Sequence, residues 1–154
     1  MLTHIDKKGN AQMVDISHKE SSIRTAMASG KIRVSKSVIE QISNKKNNKG
    51  DVLNIAKIAA ILATKNTSNL IPLCHQIHLD NINAEFTIHE KEKAIEVVSI
   101  ISCKEKTGAE MEALTCVSVA LLTIYDMCKS EDKKMNIYDI KLIKKTGGKS
   151  DFKK

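Results

Sequence analysis

A β-hairpin is the clearest structural signal in the chain, and it lies at residues 79–103, LDNINAEFTIHEKEKAIEVVSIISC. Apolar and polar residues alternate from Ile82 to His89, which places one set on each face of a strand. The charged run at 90–93 predicts a turn, and the apolar residues that follow predict a second strand reaching Cys103. The stretch therefore indicates two antiparallel strands that bury one face.

Helices are predicted on both sides of this hairpin. Asp51 can cap a helix over about 52–65, whose apolar residues run nearly all the way round and predict burial on most faces. Thr107 and Glu110 have the spacing of a capping box. They predict a long helix over about 109–129, with apolar residues at helical spacing.

Shorter elements complete the pattern. Ser37 and Glu40 also have capping-box spacing and predict a short helix that ends near Asn44. Gly30 predicts a turn between two extended segments. Extended segments are predicted at 11–16, 23–28 and 31–34, and a final strand is predicted at 137–144.

The order of these elements predicts an α+β fold, a ferredoxin-like β-α-β-β-α-β plait with additional N-terminal strands. Helices on one face leave the other face of the sheet to be covered, and its aromatic-poor apolar composition predicts that neighbouring subunits cover it. A length of 154 residues predicts a single domain over 1–154. A flexible basic tail is predicted at about 146–154.

The composition bears on the class of ligand. The net charge is +7, yet aromatic residues make up 3% of the chain, too few for the stacking platforms of single-strand nucleic-acid binders. Nearly all the cations are lysines, the exceptions being Arg24 and Arg33, and lysine binds phosphate as a point charge. A small polyanionic ligand is therefore favoured at least as strongly as DNA or RNA.

Other signals bear on compartment and metal. Four widely spaced cysteines without a CxxC pair predict free thiols and a cytoplasmic protein. The longest uncharged run, 113–125, is short of the ~20 residues of a membrane span, and the N-terminus has no signal-peptide core. His75 and His78 would point to opposite faces of an extended segment, so no metal site is predicted.

A carboxylate near the end of the long helix is harder to explain as structure. The helix dipole favours Glu110 at the N-terminal end and Lys129 at the C-terminal end, but it disfavours Asp126. Asp126 and Lys129 are three residues apart, so they share a face. This pairing predicts an acid/base group, because a neighbouring lysine can tune a carboxylate.

Four blocks of sequence and short matches at both ends carry a resemblance to a known family. The blocks are KGDVL at 49–53, LIPLCH at 70–75, TGAEMEALT at 107–115 and TIYDMCK at 123–129, with further matches at 2–4, 13–15 and 147–150. Over nearly its whole length the chain resembles the cyclic pyranopterin monophosphate synthases, which act in molybdenum cofactor biosynthesis. One departure is Gln76, where the family usually has proline.

The resemblance implies a lyase. Its substrate would be a dihydro-GTP derivative whose guanine is already cyclised onto the ribose. The product would be a pyranopterin with a cyclic phosphate, released together with diphosphate. No cofactor is implied, and a Mg²⁺ ion accompanying the triphosphate is left open. The resemblance also implies a homo-oligomer, a hexamer built as a trimer of dimers with sites at the dimer interface.

The same resemblance implies roles for particular residues. Asp126 would be the catalytic acid/base, with Lys49 and Lys129 in the same catalytic site. The residues that would contact substrate are Leu73, Cys74, His75, Glu110, Met111 and Glu112.

Two other functions remain as alternatives. An RNA-binding plait would account for the charge and the element order, but it needs aromatic residues on exposed strands, where only Phe86 is available. A structural assembly protein without activity would be indicated by apolar residues in place of Asp126 or Lys49, and both of these are charged.

Overall fold

A computed structural model describes residues 4–44 and 50–154 of the chain. The described strands are β1 (Ser22–Arg33), β2 (Asn81–His89), β3 (Ala94–Glu105), β4 (Asn136–Thr146) and β5 (Phe152–Lys153). The described helices are α1 (Lys36–Ser43), α2 (Val52–Lys65), α3 (Thr67–Leu70) and α4 (Glu110–Cys128).

The strands form one antiparallel sheet in the order β2-β3-β1-β4-β5. The long strand β1 lies in the middle and pairs with β3 on one side and β4 on the other. The predicted hairpin is confirmed as β2 and β3, with Ile82 opposite Ile101 and Ile88 opposite Ile95. The predicted α+β class is likewise confirmed, and α4 packs on the three central strands.

Gly30 is not a turn, and that prediction is wrong. The segments 23–28 and 31–34 belong largely to the single strand β1, which runs through Gly30 without a break in the chain direction. A Cβ atom at this position would lie 2.8 Å from Val117 Cγ1 and 2.9 Å from Leu121 Cδ1. Glycine is required here because α4 approaches the strand too closely for any side chain.

The additional N-terminal strands are also not found in the described residues. The predicted segment 11–16 has a single bridge, between Ala11 and Ile5, and no strand. Asp6 organises this region as a turn, since its Oδ1 accepts hydrogen bonds from the backbone nitrogens of Lys8 and Asn10 at 2.8 Å each. Residues 6–10 therefore form a turn, and the bridge that follows this turn does not extend into a strand over 11–16.

The helix caps were predicted with mixed success. Asp51 caps α2 by accepting from the backbone nitrogen of Asn54, as predicted. Helix α1 is capped by Ser35, two residues before the predicted Ser37. Helix α4 begins after Ala109 without a side-chain cap, so the predicted capping box is wrong there. The Glu110 carboxylate does not bond back to the start of the helix; it forms an ion pair with Lys145 of β4.

Helix α2 buries one stripe rather than most of its surface. Its buried residues Val52, Ala56, Ala60 and Thr64 recur every four positions. Three large residues on other faces, Ile55, Ile58 and Leu62, remain 39%, 53% and 56% exposed. The prediction of burial on most faces is therefore wrong for the chain by itself, and α2 presents an apolar surface to solvent.

Helix α4 is the central helix of the core. It is long and apolar enough, by length and composition, to cross a membrane, with a mean hydropathy of 1.5. Its inner residues, which include Val117, Leu121 and Ile124, are fully buried in this fold. Packing against the sheet and α2 accounts for the apolar composition.

The predicted basic tail folds back on the sheet. Gly147, at φ +85°, starts a turn in which its nitrogen donates to Asp151 Oδ1 at 3.0 Å. The chain then pairs with β4 through Phe152, which lies opposite Lys145. The Ser22 hydroxyl donates to the Gly147 carbonyl at 2.8 Å, which holds this turn beside β1.

Candidate functional site

Glu112, in the first turn of α4, is a buried carboxyl group. It is 3% exposed, and burial raises its pKa. Its Oε1 lies 3.8 Å from Cys74 Sγ, and its Oε2 has no hydrogen-bond partner among the described residues. Glu112 lines a cavity of about 220 Å³, which we call the Glu112 cavity. Its other lining residues are Thr64, Lys65, Thr67, Ser68, Gln76, Ile77, His78, Leu79 and Ile82.

Cys74 reaches Glu112 from the segment between α3 and β2. Pro72 keeps this segment out of a helix, and the Cys74 nitrogen closes a turn by donating to the Ile71 carbonyl at 3.0 Å. Burial, reinforced by the neighbouring Glu112, raises the pKa of Cys74 to about 11. The thiol therefore keeps its proton at neutral pH and can donate a hydrogen bond.

A basic cluster lies at the same end of α4, formed by Arg24, Lys145 and Lys149 around a small cavity of about 70 Å³. Lys145 Nζ lies 3.2 Å from Glu110 Oε1. The Arg24 guanidinium is fixed by the carbonyls of Glu105 and Lys106 at 2.8 and 3.2 Å. Three cations and one carboxylate, Glu110, line this cavity, so its net charge is positive and suits an anion.

Arg24 and Lys145 did not appear among the residues predicted from sequence. The rarity of arginine drew attention to Arg24, but its role could not be inferred without knowing the strand register. In the sheet, Lys145 pairs with Ala26, which brings the side chains of β1 and β4 to one edge of the α4 N-terminus. The 147–150 block adds Lys149 to the same cavity.

Asp126 and Lys129 form a pair at the opposite end of α4. Lys129 Nζ donates to Asp126 Oδ1 at 2.5 Å, so the predicted shared face is confirmed. Both side chains are well exposed, at 69% and 57%. The hydrogen bond that Lys129 donates to Asp126, together with the negative charge of Asp126, raises the pKa of Lys129 and keeps this lysine cationic.

The predicted site residues thus fall into two groups within one chain. Glu112 and Asp126 are fourteen residues apart on a continuous helix, a separation of about 21 Å. Three more predicted residues are near Glu112 or Cys74 in the chain and belong to the Glu112 end. They are Met111, which is 36% exposed, and the half-buried Leu73 and His75. Lys49 lies outside the described residues.

His75 and His78 are the possible metal ligands considered from the sequence. His78, three residues after His75, faces Glu105, with its Nδ1 3.4 Å from Glu105 Oε1. Among residues 4–44 and 50–154 no group of three or more His, Cys, Asp or Glu side chains could hold a metal ion.

The fold and these groups define an α+β protein whose central helix has a buried carboxyl group and a basic cluster at one end and an exposed carboxylate–lysine pair at the other. Residues 13–148 match the model of the MoaC family, and the chain belongs to that family. This match confirms the resemblance predicted from the sequence blocks.

Similar proteins extend the match. A protein of Clostridium perfringens (strain SM101 / Type A) named cyclic pyranopterin monophosphate synthase is 51% identical over 97% of this chain and 94% of its own length. The molybdenum cofactor biosynthesis protein moc-5 of Caenorhabditis elegans is 47% identical over 99% of this chain and 25% of its own length. The mitochondrial cyclic pyranopterin monophosphate synthase of Arabidopsis thaliana is 48% identical over 97% of this chain and 55% of its own length. The predicted function as an enzyme of molybdenum cofactor biosynthesis is confirmed with the family.

Proposed function

We propose that this chain converts the cyclised dihydro-GTP intermediate into cyclic pyranopterin monophosphate and releases diphosphate. The observation that carries the proposal is a sequence identity of 51% and 49%, over 97% of this chain, to two proteins that bear the name of this synthase. The side chains at the two ends of α4 supply what the reaction needs: groups that move protons, and cations that bind a triphosphate.

Asp126 is proposed as the acid/base. Its carboxylate is solvent-accessible and held by Lys129, so it can exchange protons with a bound molecule without first being uncovered. The lysine is a neighbouring cation that also favours the charged form of a phosphate. Lys49 is proposed in the same catalytic site by its resemblance to the family.

The basic cluster is proposed to bind phosphate. Closing the cyclic phosphate forms a bond between a hydroxyl oxygen of the substrate and the α-phosphorus, and the hydroxyl proton passes to a base. The bond between the α-phosphorus and the oxygen that bridges to the β-phosphorus breaks, and this oxygen leaves with the diphosphate. Negative charge then develops on the departing diphosphate, and cations such as Lys145 and Arg24 stabilise it. No oxidation or reduction is involved, so the proposal requires no redox cofactor.

The active site is proposed to form between two subunits. One chain cannot bring both ends of α4 to one small substrate, because they are about 21 Å apart. The exposed Ile55, Ile58 and Leu62 of α2 give a second reason for a partner, since an apolar stripe of this kind is commonly covered in an oligomer. A hexamer built as a trimer of dimers fits both features.

Two further features are proposed from the fold and the thiols. The sheet order β2-β3-β1-β4, with helical connections after β1 and β3, supports a ferredoxin-like plait extended by β5 at one edge.

The four cysteines are all free, which supports a reducing cytoplasmic environment.

The test is an assay of diphosphate release. Purified protein is incubated with the cyclised dihydro-GTP intermediate, and with GTP as the control substrate. We expect release of diphosphate and formation of the cyclic phosphate from the intermediate only. Release from both compounds, or from neither, would contradict the proposal. Parallel assays with EDTA and with added Mg²⁺ determine whether the triphosphate requires a metal ion.

A further inference from the structure

The two carboxyl oxygens of Glu112 are in different surroundings. Cys74 Sγ lies 3.8 Å from Oε1, whereas Oε2 is buried without a hydrogen-bond partner among the described residues. A buried polar atom without a partner is costly for a folded protein. Glu112 lines the Glu112 cavity, so a ligand placed there can supply the missing donor.

The thiol is suited to hold Oε1. Its pKa of about 11 means that Cys74 carries its proton at neutral pH and acts as a donor. The thiol has one proton and a second acceptor within reach, the His75 carbonyl at 3.7 Å. A carboxylate is the stronger acceptor of the two because the hydrogen bond is then charge-assisted.

We propose that Cys74 is a positioning residue, whose thiol hydrogen-bonds Oε1 of Glu112 and thereby presents Oε2 to the substrate. The inference rests on the proposed function, in which Glu112 contacts substrate. The role inferred for Cys74 differs from the direct substrate contact that the family resemblance implies, because the thiol acts through the carboxyl group of Glu112.

A matched pair of substitutions separates hydrogen bonding from packing. Cys74→Ser keeps a donor at the position, whereas Cys74→Ala removes it, and both shorten the side chain. Burial raises the pKa of Glu112, and hydrogen bonds from its own backbone N–H and from Cys74 lower that pKa in part; the backbone contribution is the same in both variants. Loss of the donor should therefore move the protonation midpoint of Glu112 to higher pH.

The first measurement uses the whole, substrate-free protein. Infrared spectra are recorded across a pH series, and the Glu112 carboxyl band is identified as the band absent from Glu112→Gln. We expect a midpoint at higher pH in Cys74→Ala than in wild type, with Cys74→Ser close to wild type. The other titratable groups around Glu112, which are unchanged in both variants, are Glu110 on α4, Lys65 on α2, His78 before β2 and Cys103 on β3.

The second measurement is kcat/KM for diphosphate release across the same pH range. We expect Cys74→Ala to lose about 10-fold, with its acid limb displaced to higher pH, and Cys74→Ser to recover most of the loss. An unchanged Glu112 midpoint in Cys74→Ala, equal shifts in both variants, or full activity of Cys74→Ala would each overturn the inference. If the Glu112 midpoint shifts in Cys74→Ala as expected but the wild-type protein releases no diphosphate, the proposed function would be overturned instead.

Discussion

At the scale of single residues, the carboxylates of α4 differ sharply in environment. Asp126 is exposed and paired with a lysine, whereas Glu112 is buried with one oxygen unpartnered. Under the proposed function, the first exchanges protons with a bound substrate, and the second accepts a hydrogen bond from that substrate. Each environment leads to its own test.

Removing the charge of Asp126 should remove catalysis. We expect Asp126→Asn to lower kcat for diphosphate release by ~10²–10⁴, because an asparagine can neither donate nor take up the proton. Asp139→Asn is the matched control, since Asp139 is also an exposed aspartate paired with a lysine, Lys141. Comparable loss in both variants, or near wild-type turnover by folded Asp126→Asn, would refute the role of Asp126.

The buried carboxyl of Glu112 should make stability depend on pH. Its pKa is raised above the ordinary value of 4.5, so the folded state holds the proton more tightly than the unfolded state. Stability from this group is present below pH 4.5 and is lost as the pH rises through the folded pKa. Glutamine does not ionise, so the free energy of unfolding of Glu112→Gln should not show this decrease.

Urea unfolding at a fixed protein concentration measures this effect. The free energy of unfolding of Glu112→Gln, relative to wild type, should increase as the pH rises from 4 toward 8. A difference that is constant across this range would mean that Glu112 titrates normally in the folded protein.

Some of these residue contacts could be predicted from the sequence and others could not. Asp126 and Lys129 lie three apart on one helix, so their contact follows from helical geometry alone. Cys74 and Glu112 are separated by 38 residues, and their contact depends on how the segment after Pro72 returns to α4. The Lys145 ion pair likewise depends on the register of β4 against β1.

At the scale of secondary structure, Gly30 allows α4 to lie close to the sheet. Gly30→Ala would place a Cβ atom 2.8 Å from Val117 Cγ1, a stiff β-branched side chain in the core. We expect a destabilisation of ~1–3 kcal/mol, measured by chemical unfolding.

A double substitution tests that explanation. Val117→Ala removes the nearest of the three atoms that the new Cβ would meet, the others being Leu121 Cδ1 at 2.9 Å and Ile140 Cγ1 at 3.0 Å, so Gly30→Ala should cost less in the Val117→Ala background than in wild type. Equal costs in the two backgrounds would show that contact with Val117 does not account for the loss at Gly30.

The elements that were predicted correctly have strong local signals. The hairpin follows from alternation, and α2 follows from Asp51 and its apolar run. Two of the errors fall where a residue serves tertiary contacts: Gly30 allows close packing, and Glu110 pairs with Lys145 instead of completing a cap. Local patterns favour turn and cap at these positions, and packing across the sheet overrides them.

At the scale of the whole molecule, the chain has an exposed apolar stripe on α2, and its predicted site residues lie in two separate groups at the ends of α4. Ile58 is 53% exposed in the stripe on α2. Ile58→Lys should weaken subunit association, because a charge would be buried in an apolar interface. Sedimentation should show smaller species and the assay reduced activity, whereas Ser37→Lys, at an exposed position of α1 and away from the stripe, should remain assembled. An unchanged distribution for Ile58→Lys would place the interface elsewhere.

The most direct test of the shared site is complementation between two inactive variants. Glu112→Ala and Asp126→Ala are unfolded together in equal amounts and refolded as mixed oligomers. Each mixed dimer would contain one site with both defects and one site with neither. Random pairing would then restore about one quarter of wild-type diphosphate release. Mixed oligomers that are shown by mass spectrometry to have formed, and that remain as inactive as the separate variants, would contradict a site built from two subunits.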